Sequence, residues 1–237
     1  MFTSTRFAGS GVHLSRTTQE FVPGSPLHAL AVEPPFVAYH LIDIGSAKAA
    51  QLRHLIGERS DVTIYEGDCN QVLLESVFPT VRFRDYRRGL CILDPYGLHL
   101  DWSVIEAAGQ SKAIDMFLNF PVADMNRNVL WQNPEGVDEA DEKRMSTFWG
   151  DDTWREMAYR TDRNLFGMEE KVSNEEVVET FRDRLRRVAG FARVPKPMPM
   201  RNSRGAVVYY LFFASQKDTA ERIVTDIFGK YGSRGGA

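Results

Sequence analysis

Three apolar runs in this chain each stop at an acid and give way to a helical pattern, and a fourth stops at a proline. They are "FVAYHLIDI" (36–44), "DVTIYEGD" (61–68), "GLCILDPYG" (89–97) and "AIDMFLNFP" (113–121). Nearly continuous apolar, β-branched and aromatic runs are how strands buried on both faces read. Between them, residues 46–58 place Ala47, Ala50, Leu52, Leu55 and Ile56 near helical spacing behind Ser46 as a cap. Residues 70–78 form a short amphipathic stretch, and "DWSVIEAAG" (101–109) reads as a helix stopped by glycine. Strands alternating with helices predict an α/β fold with a Rossmann-like, mainly parallel sheet and helices on both faces.

The flanks are less regular. Phe2–Phe7 reads as a short strand, "FAGSG" as the turn after it, and 12–24 as a loop. Ser25 and Pro26 suit the cap and first position of a short helix. After Pro121 the pattern changes: residues around 134–170 are polar, charged and tryptophan-bearing, and read as a helical insertion or lid. "SNEEVVETFRDRLRRVAG" (173–190) predicts a strong helix, with Ser173 and Glu176 as a capping box and Gly190 ending it. "FARVPKPMPMRNSRGAVVYYLFFAS" predicts an antiparallel pair about an "NSRG" turn, its first strand confined to an edge by prolines. An amphipathic helix over 218–231 follows. The expectation is one domain over 1–237.

Composition narrows the function. With 237 residues, 43% hydrophobic and 26% charged, the chain reads as an ordinary globular protein. Its net charge of −3 supplies no broad basic field for nucleic acid, although a local patch is compatible with it. Cys69 and Cys91 make no disulfide scaffold and no zinc spacing, which fits a reducing cytoplasm. No long apolar run suggests a signal peptide or membrane span. The five histidines show no paired spacing. Trp131, Trp149 and Trp154 read as the insertion's own core rather than base-stacking residues. Arg127, Arg163 and Lys171 could meet phosphates, but ordinary solvated charge is the plainer reading.

In an open α/β sheet, ligands bind beyond the carboxyl ends of the strands. The residues there are "FAGSG", Asp43, "GDCN" and "DPYG". Gly9 and Gly11 allow close approach of a ligand to backbone, or simply make a turn. Asp43 stands where ribose hydroxyls are held, or caps the next helix. Asp68 reaches a base edge, or caps the helix near Asn70. In "DPYG", Asp94 offers a carboxylate at the sheet edge, Pro95 fixes φ, and Tyr96 offers a stacking face. That set suits the amino group and ring of a planar substrate; the alternative is a βα turn in which Asp94 accepts backbone N–H groups. Using these acids as metal ligands is a weaker option, because they sit on different strand ends.

Taken in order, "FAGSG…GSPLHAL…LIDI…GDCN…ILDPYGLHLDW…IDMFLNFP…NR…YYLFF" strongly resembles the three-Cys-motif partner protein family, TcmP, over nearly the whole chain. Its most specific parts are "GDCN", "LDPYG" with Trp102, and "NFP" with Arg127. That family looks like class I S-adenosylmethionine (SAM)-dependent methyltransferases and is mainly bacterial. The resemblance implies SAM as cofactor. Phe7, Gly9 and Gly11 would lie in the methionine-side loop, Asp43 at the ribose, and Asp68 with Cys69 at the adenine edge. Asp94, Pro95 and Tyr96 resemble the Asp-Pro-Pro-Tyr motif of amino-methyltransferases, which holds the amine to be methylated. The implied partner is a three-cysteine-motif protein resembling radical-SAM proteins, with nucleic acid as a possible methyl acceptor. A non-catalytic methyltransferase-like scaffold is the alternative. Thr5, standing where the family has an acid, and a chain beginning at Met1 without the upstream helix favour it; in addition the second proline of the amino-methyltransferase motif is absent, with Gly97 following the tyrosine, which loosens the active-site analogy.

Overall fold

The computed structural model describes residues 2–5, 12–14, 21–160 and 170–232. In chain order its elements begin with three short strands, β1 (Phe2–Thr5), β2 (Val12–Leu14) and β3 (Phe21–Pro23), and the helix α1 (Ser25–Leu30). Then come β4 (Tyr39–Asp43), α2 (Ser46–Ile56), β5 (Val62–Glu66), α3 (Cys69–Val72), β6 (Gly89–Asp94), α4 (Trp102–Ser111), β7 (Ile114–Phe120) and α5 (Val122–Asn128). The remainder holds α6 (Glu139–Trp149), α7 (Trp154–Ala158), β8 (Tyr159–Arg160), β9 (Glu170–Lys171), α8 (Asn174–Arg187), β10 (Met198–Arg201), β11 (Val207–Ala214) and α9 (Asp218–Gly232).

The fold is α/β about a mixed seven-stranded sheet of order β10-β11-β7-β6-β1-β4-β5. Neighbours from β7 to β5 pair in parallel, while β11 runs antiparallel to both β7 and β10. The chain lays β4 and β5 to one side of β1, then returns to place β6 and β7 on the other. Strand order therefore reverses at β1, and a crevice opens there at the carboxyl ends. β2 and β3 form a separate antiparallel ribbon in the stretch expected to be a loop. β10 lies at the sheet edge, where its proline removes no interior ladder bond.

Several local boundaries differ from the sequence reading. The first intrahelical bonds of α1 and α2 are accepted by the carbonyls of Gly24 and Gly45, so these glycines, not the serines, are the caps. The helix expected over 70–78 is broken: after α3 the backbone widens into a π-type turn over Leu73–Val77 and tightens into a 3₁₀ turn at Phe78–Thr80, which contains Pro79. Gly109 does not stop α4, which runs on to Ser111 and ends on Lys112 in the left-handed region. Gly109 is there for close packing, since a Cβ would come within 2.1 Å of the Ala189 carbonyl oxygen. Ser173 does cap α8, its hydroxyl accepting the Glu176 N–H.

One buried apolar cluster runs from Ile42 to Ala214 and joins the sheet to α4, α6 and α8. Phe181 of α8 lies at its centre, with its ring against Trp102, Phe120, Phe148, Trp149 and Phe212. Trp149 and Trp154 are fully buried in this main cluster rather than in a separate core of the insertion, whereas Trp131, expected beside them, is 40% exposed and outside it. No helix among the described residues is long and apolar enough to cross a membrane.

Candidate functional site

A cavity of about 570 Å³ opens at the carboxyl ends of β4, β5 and β6. Small-molecule sites generally occupy about 300–1,000 Å³. Asp43, Asp68, Cys69, Pro95 and Tyr96 all line it. The structure thus brings together five of the residues singled out from sequence. Phe7, Gly9 and Gly11 lie outside the described residues, as does Arg163.

Asp43 is the most telling of the five. It ends β4, and its residue is only 2% exposed. Oδ1 accepts the Gly45 N–H at 2.7 Å, which shapes the turn into α2. Oδ2 is buried with no hydrogen-bond partner among the described residues. Burial raises the Asp43 pKa, and the Gly45 bond and the Lys48 charge only partly offset it. Leaving a buried carboxylate oxygen unsatisfied costs about 1–3 kcal/mol or more. A ligand hydroxyl at Oδ2 would recover that energy.

Asp68 does what the plainer reading required: its Oδ1 accepts the Asn70 N–H at the start of α3. Asn70 is the residue that sequence reasoning passed over. Nearly buried, it donates to the His99 carbonyl and accepts the Asp101 N–H, and so clips the loop 95–101 onto α3. Asp101 occupies the cap position of α4, but its side chain makes no capping bond. Burial first, and then the Asp68 charge, raise its pKa. At the mouth Tyr96, 55% exposed, stacks on His99 with ring centroids 6.2 Å apart.

Asp94 departs from the expectation that all the strand-end acids share one crevice. It ends β6, yet it is not among the cavity-lining residues. Its Oδ1 accepts the Asn119 Nδ2–H at 2.5 Å from the end of β7. The carboxylate also helps burial raise the Tyr209 pKa. Asp94 is therefore satisfied by a neighbouring strand rather than by backbone N–H groups, beside the cavity that Pro95 and Tyr96 enter. Gly97 completes the turn at φ +55°, and a Cβ there would stand 2.3 Å from Asp124 Oδ2.

The opposite wall comes from α6. Lys143, Arg144 and Thr147 face the cavity while Met145, Phe148 and Trp149 enter the core. Three acids thus confront two cations across one space. Arg144 pairs with Asp141; Lys143 makes no ion pair among the described residues. Helical alternation of charge and apolar side chains over 139–149 was the available signal, but it could not say what the charged face would meet. Of the other cations considered, Arg127 meets Asp124 at 3.7 Å and Lys171 donates to Asn126. Among the described residues, no group of three His, Cys, Asp or Glu side chains could hold a metal ion.

No protein-family model matches the chain, and no curated protein matches it.

Proposed function

We propose that the chain is a SAM-dependent methyltransferase acting on an amino group, built on a Rossmann-like sheet. The observation that carries this reading is Asp43: a buried carboxylate with an unsatisfied oxygen, in a ligand-sized cavity at the point where strand order reverses. In doubly wound folds an acid at the end of the second strand accepts ribose hydroxyls. Asp43 fits that duty, with Asp68 and Cys69 close by for the base edge. When bound, SAM supplies an electrophilic methyl group on a sulfonium sulfur.

The rest is positioning by the chain's own residues. Asp94, held by Asn119 beside the cavity rather than in its lining, accepts an N–H of an acceptor amine that reaches past Tyr96. Tyr96 stacks on the acceptor's ring. Proximity and removal of water from the amine accelerate direct transfer. The family resemblance adds a three-cysteine-motif partner protein, and a nucleic acid is one acceptor that Tyr96 would suit.

A second reading, a methyltransferase-like scaffold without catalysis, is favoured by the Asp94–Asn119 bond, which gives Asp94 a structural partner, and by Thr5. Titration calorimetry with SAM and with S-adenosylhomocysteine separates the two. Binding of both that is lost in Asp43→Ala supports the enzyme. No heat at millimolar ligand rejects it in favour of the scaffold.

A further inference from the structure

The edge of the sheet opposite the cavity carries a different surface. Just before β6, residues 82–88 read "RFRDYRR", with four arginines against one aspartate in a chain of net charge −3. Among the described residues Arg82, Arg87 and Arg88 have no carboxylate partner, and Arg84 only approaches Asp85, at 3.9 Å. The three unpaired guanidinium groups are nonetheless held. Arg82 donates to the Pro79 carbonyl, Arg87 to the Thr80 carbonyl and Arg88 to the Lys112 carbonyl. Carbonyl anchoring orients a guanidinium without neutralising it, and leaves its other N–H donors outward. Lys112 is exposed, its Nζ donating to the Gly190 carbonyl as the arginines donate to theirs, and adds a fifth cation at the same end of the strands.

Two aromatic rings are interleaved with these charges. Arg88 covers Phe83, with Cζ 4.1 Å from the ring centroid. Tyr86 is 97% exposed and holds φ +57°. A left-handed backbone under a bulky side chain is disfavoured by about 1–2 kcal/mol, where glycine would carry no such cost. Among the described residues the only non-glycine positive φ values are at Tyr86 and Lys112, both in this patch. Non-glycine residues held in the left-handed region cluster at functional sites.

We propose that this surface binds single-stranded nucleic acid, with the arginines and Lys112 along the phosphates and Tyr86 stacked on a base. Charge complementarity selects a polyanion. The fully displayed ring selects one with unpaired bases, since stacking on an aromatic side chain needs a base free of its duplex. The inference does not depend on methyl transfer, because the patch and the cavity lie at opposite ends of the strands.

Fluorescence anisotropy of the full chain with a labelled 20-nucleotide oligo-dT, its RNA counterpart and a duplex tests it. Single strands should bind more tightly than duplex. Five neutralised phosphates would weaken binding by roughly 100-fold between 50 and 200 mM salt. Tyr86→Gly relieves the backbone and removes the ring, so it should raise Tm while weakening single-strand binding about tenfold. Arg84→Ala with Arg87→Ala should flatten the salt dependence. The proposal fails if single strands do not bind at 50 mM salt, if an acidic peptide of equal charge binds as well as the oligonucleotide, or if Tyr86→Gly leaves binding unchanged.

Discussion

At the scale of single residues, Asp43 is where structure and chemistry conflict most. Burial raises its pKa, so over the range from the ordinary carboxylate value up to the raised one the folded state holds more protons than the unfolded state. Stability contributed by this group is therefore present at low pH and lost as pH rises through that window. Asp43→Asn keeps an oxygen for the Gly45 N–H and removes the charge. It should raise Tm at pH 7 relative to the parent, with the gain shrinking towards pH 4, while SAM binding falls at least tenfold. Thermal melts across that range check the sign. A Tm that drops at pH 7 would make the residue structural. Asp94 differs, because Asn119 already satisfies one of its oxygens. Asp94→Asn should leave the melt nearly unchanged and lower methyl transfer by about 100-fold, the scale of removing one positioned polar group from a reacting centre. Unfolding of that variant, with activity kept in its folded fraction, would assign Asp94 to the scaffold.

At the scale of elements, the loop 95–101 is held at both ends, by Asn70 and by the Gly97 turn against Asp124. Gly97→Ala must carry a side chain at φ +55° into a carboxylate, and should cost about 1–3 kcal/mol in urea unfolding. Adding Asp124→Ala should recover only the part due to contact, which the double-mutant cycle reads directly. Asn70→Ala removes two side-chain bonds in a nearly buried place and should cost about 2 kcal/mol. Its distinguishing mark is faster amide exchange over 96–101 with the β6 amides still protected. Much of this level was legible: the strand runs, the α8 cap and the edge position of β10 follow from period, cap chemistry and proline. The break after α3 was not, because apolar spacing over 70–78 is the same for an unbroken helix as for one that widens and tightens.

At the scale of the whole molecule, the cluster around Phe181 ties α6, which carries the basic wall of the cavity, to the sheet that carries the acids. Phe181→Ala should cost about 3–5 kcal/mol and lower Tm by about 10 °C. In a Trp102→Phe, Trp131→Phe background the remaining Trp149 and Trp154 report on α6 and α7 while far-UV circular dichroism reports on the whole chain, and the two urea transitions should coincide. An earlier fluorescence transition would show that these helices unfold as a separate unit.

The sequence by itself determined the alternation of strands and helices, and hence which acids stand at strand ends. Those properties are local: an apolar run, a cap or a proline acts within a few residues. Only the tertiary structure decided what each acid meets. Asp43 ends β4 and Asp68 follows the neighbouring β5 at the start of α3, and the two share a cavity, whereas Asp94 turns to Asn119, 25 residues away in sequence. It also decided that α6 brings Lys143 and Arg144 over those acids, and that Arg82, Arg87 and Arg88 anchor on carbonyls at the far edge. Burial and partnership are properties of the packed chain, so a carboxylate left with an unsatisfied oxygen could be recognised only once every neighbouring group had been placed.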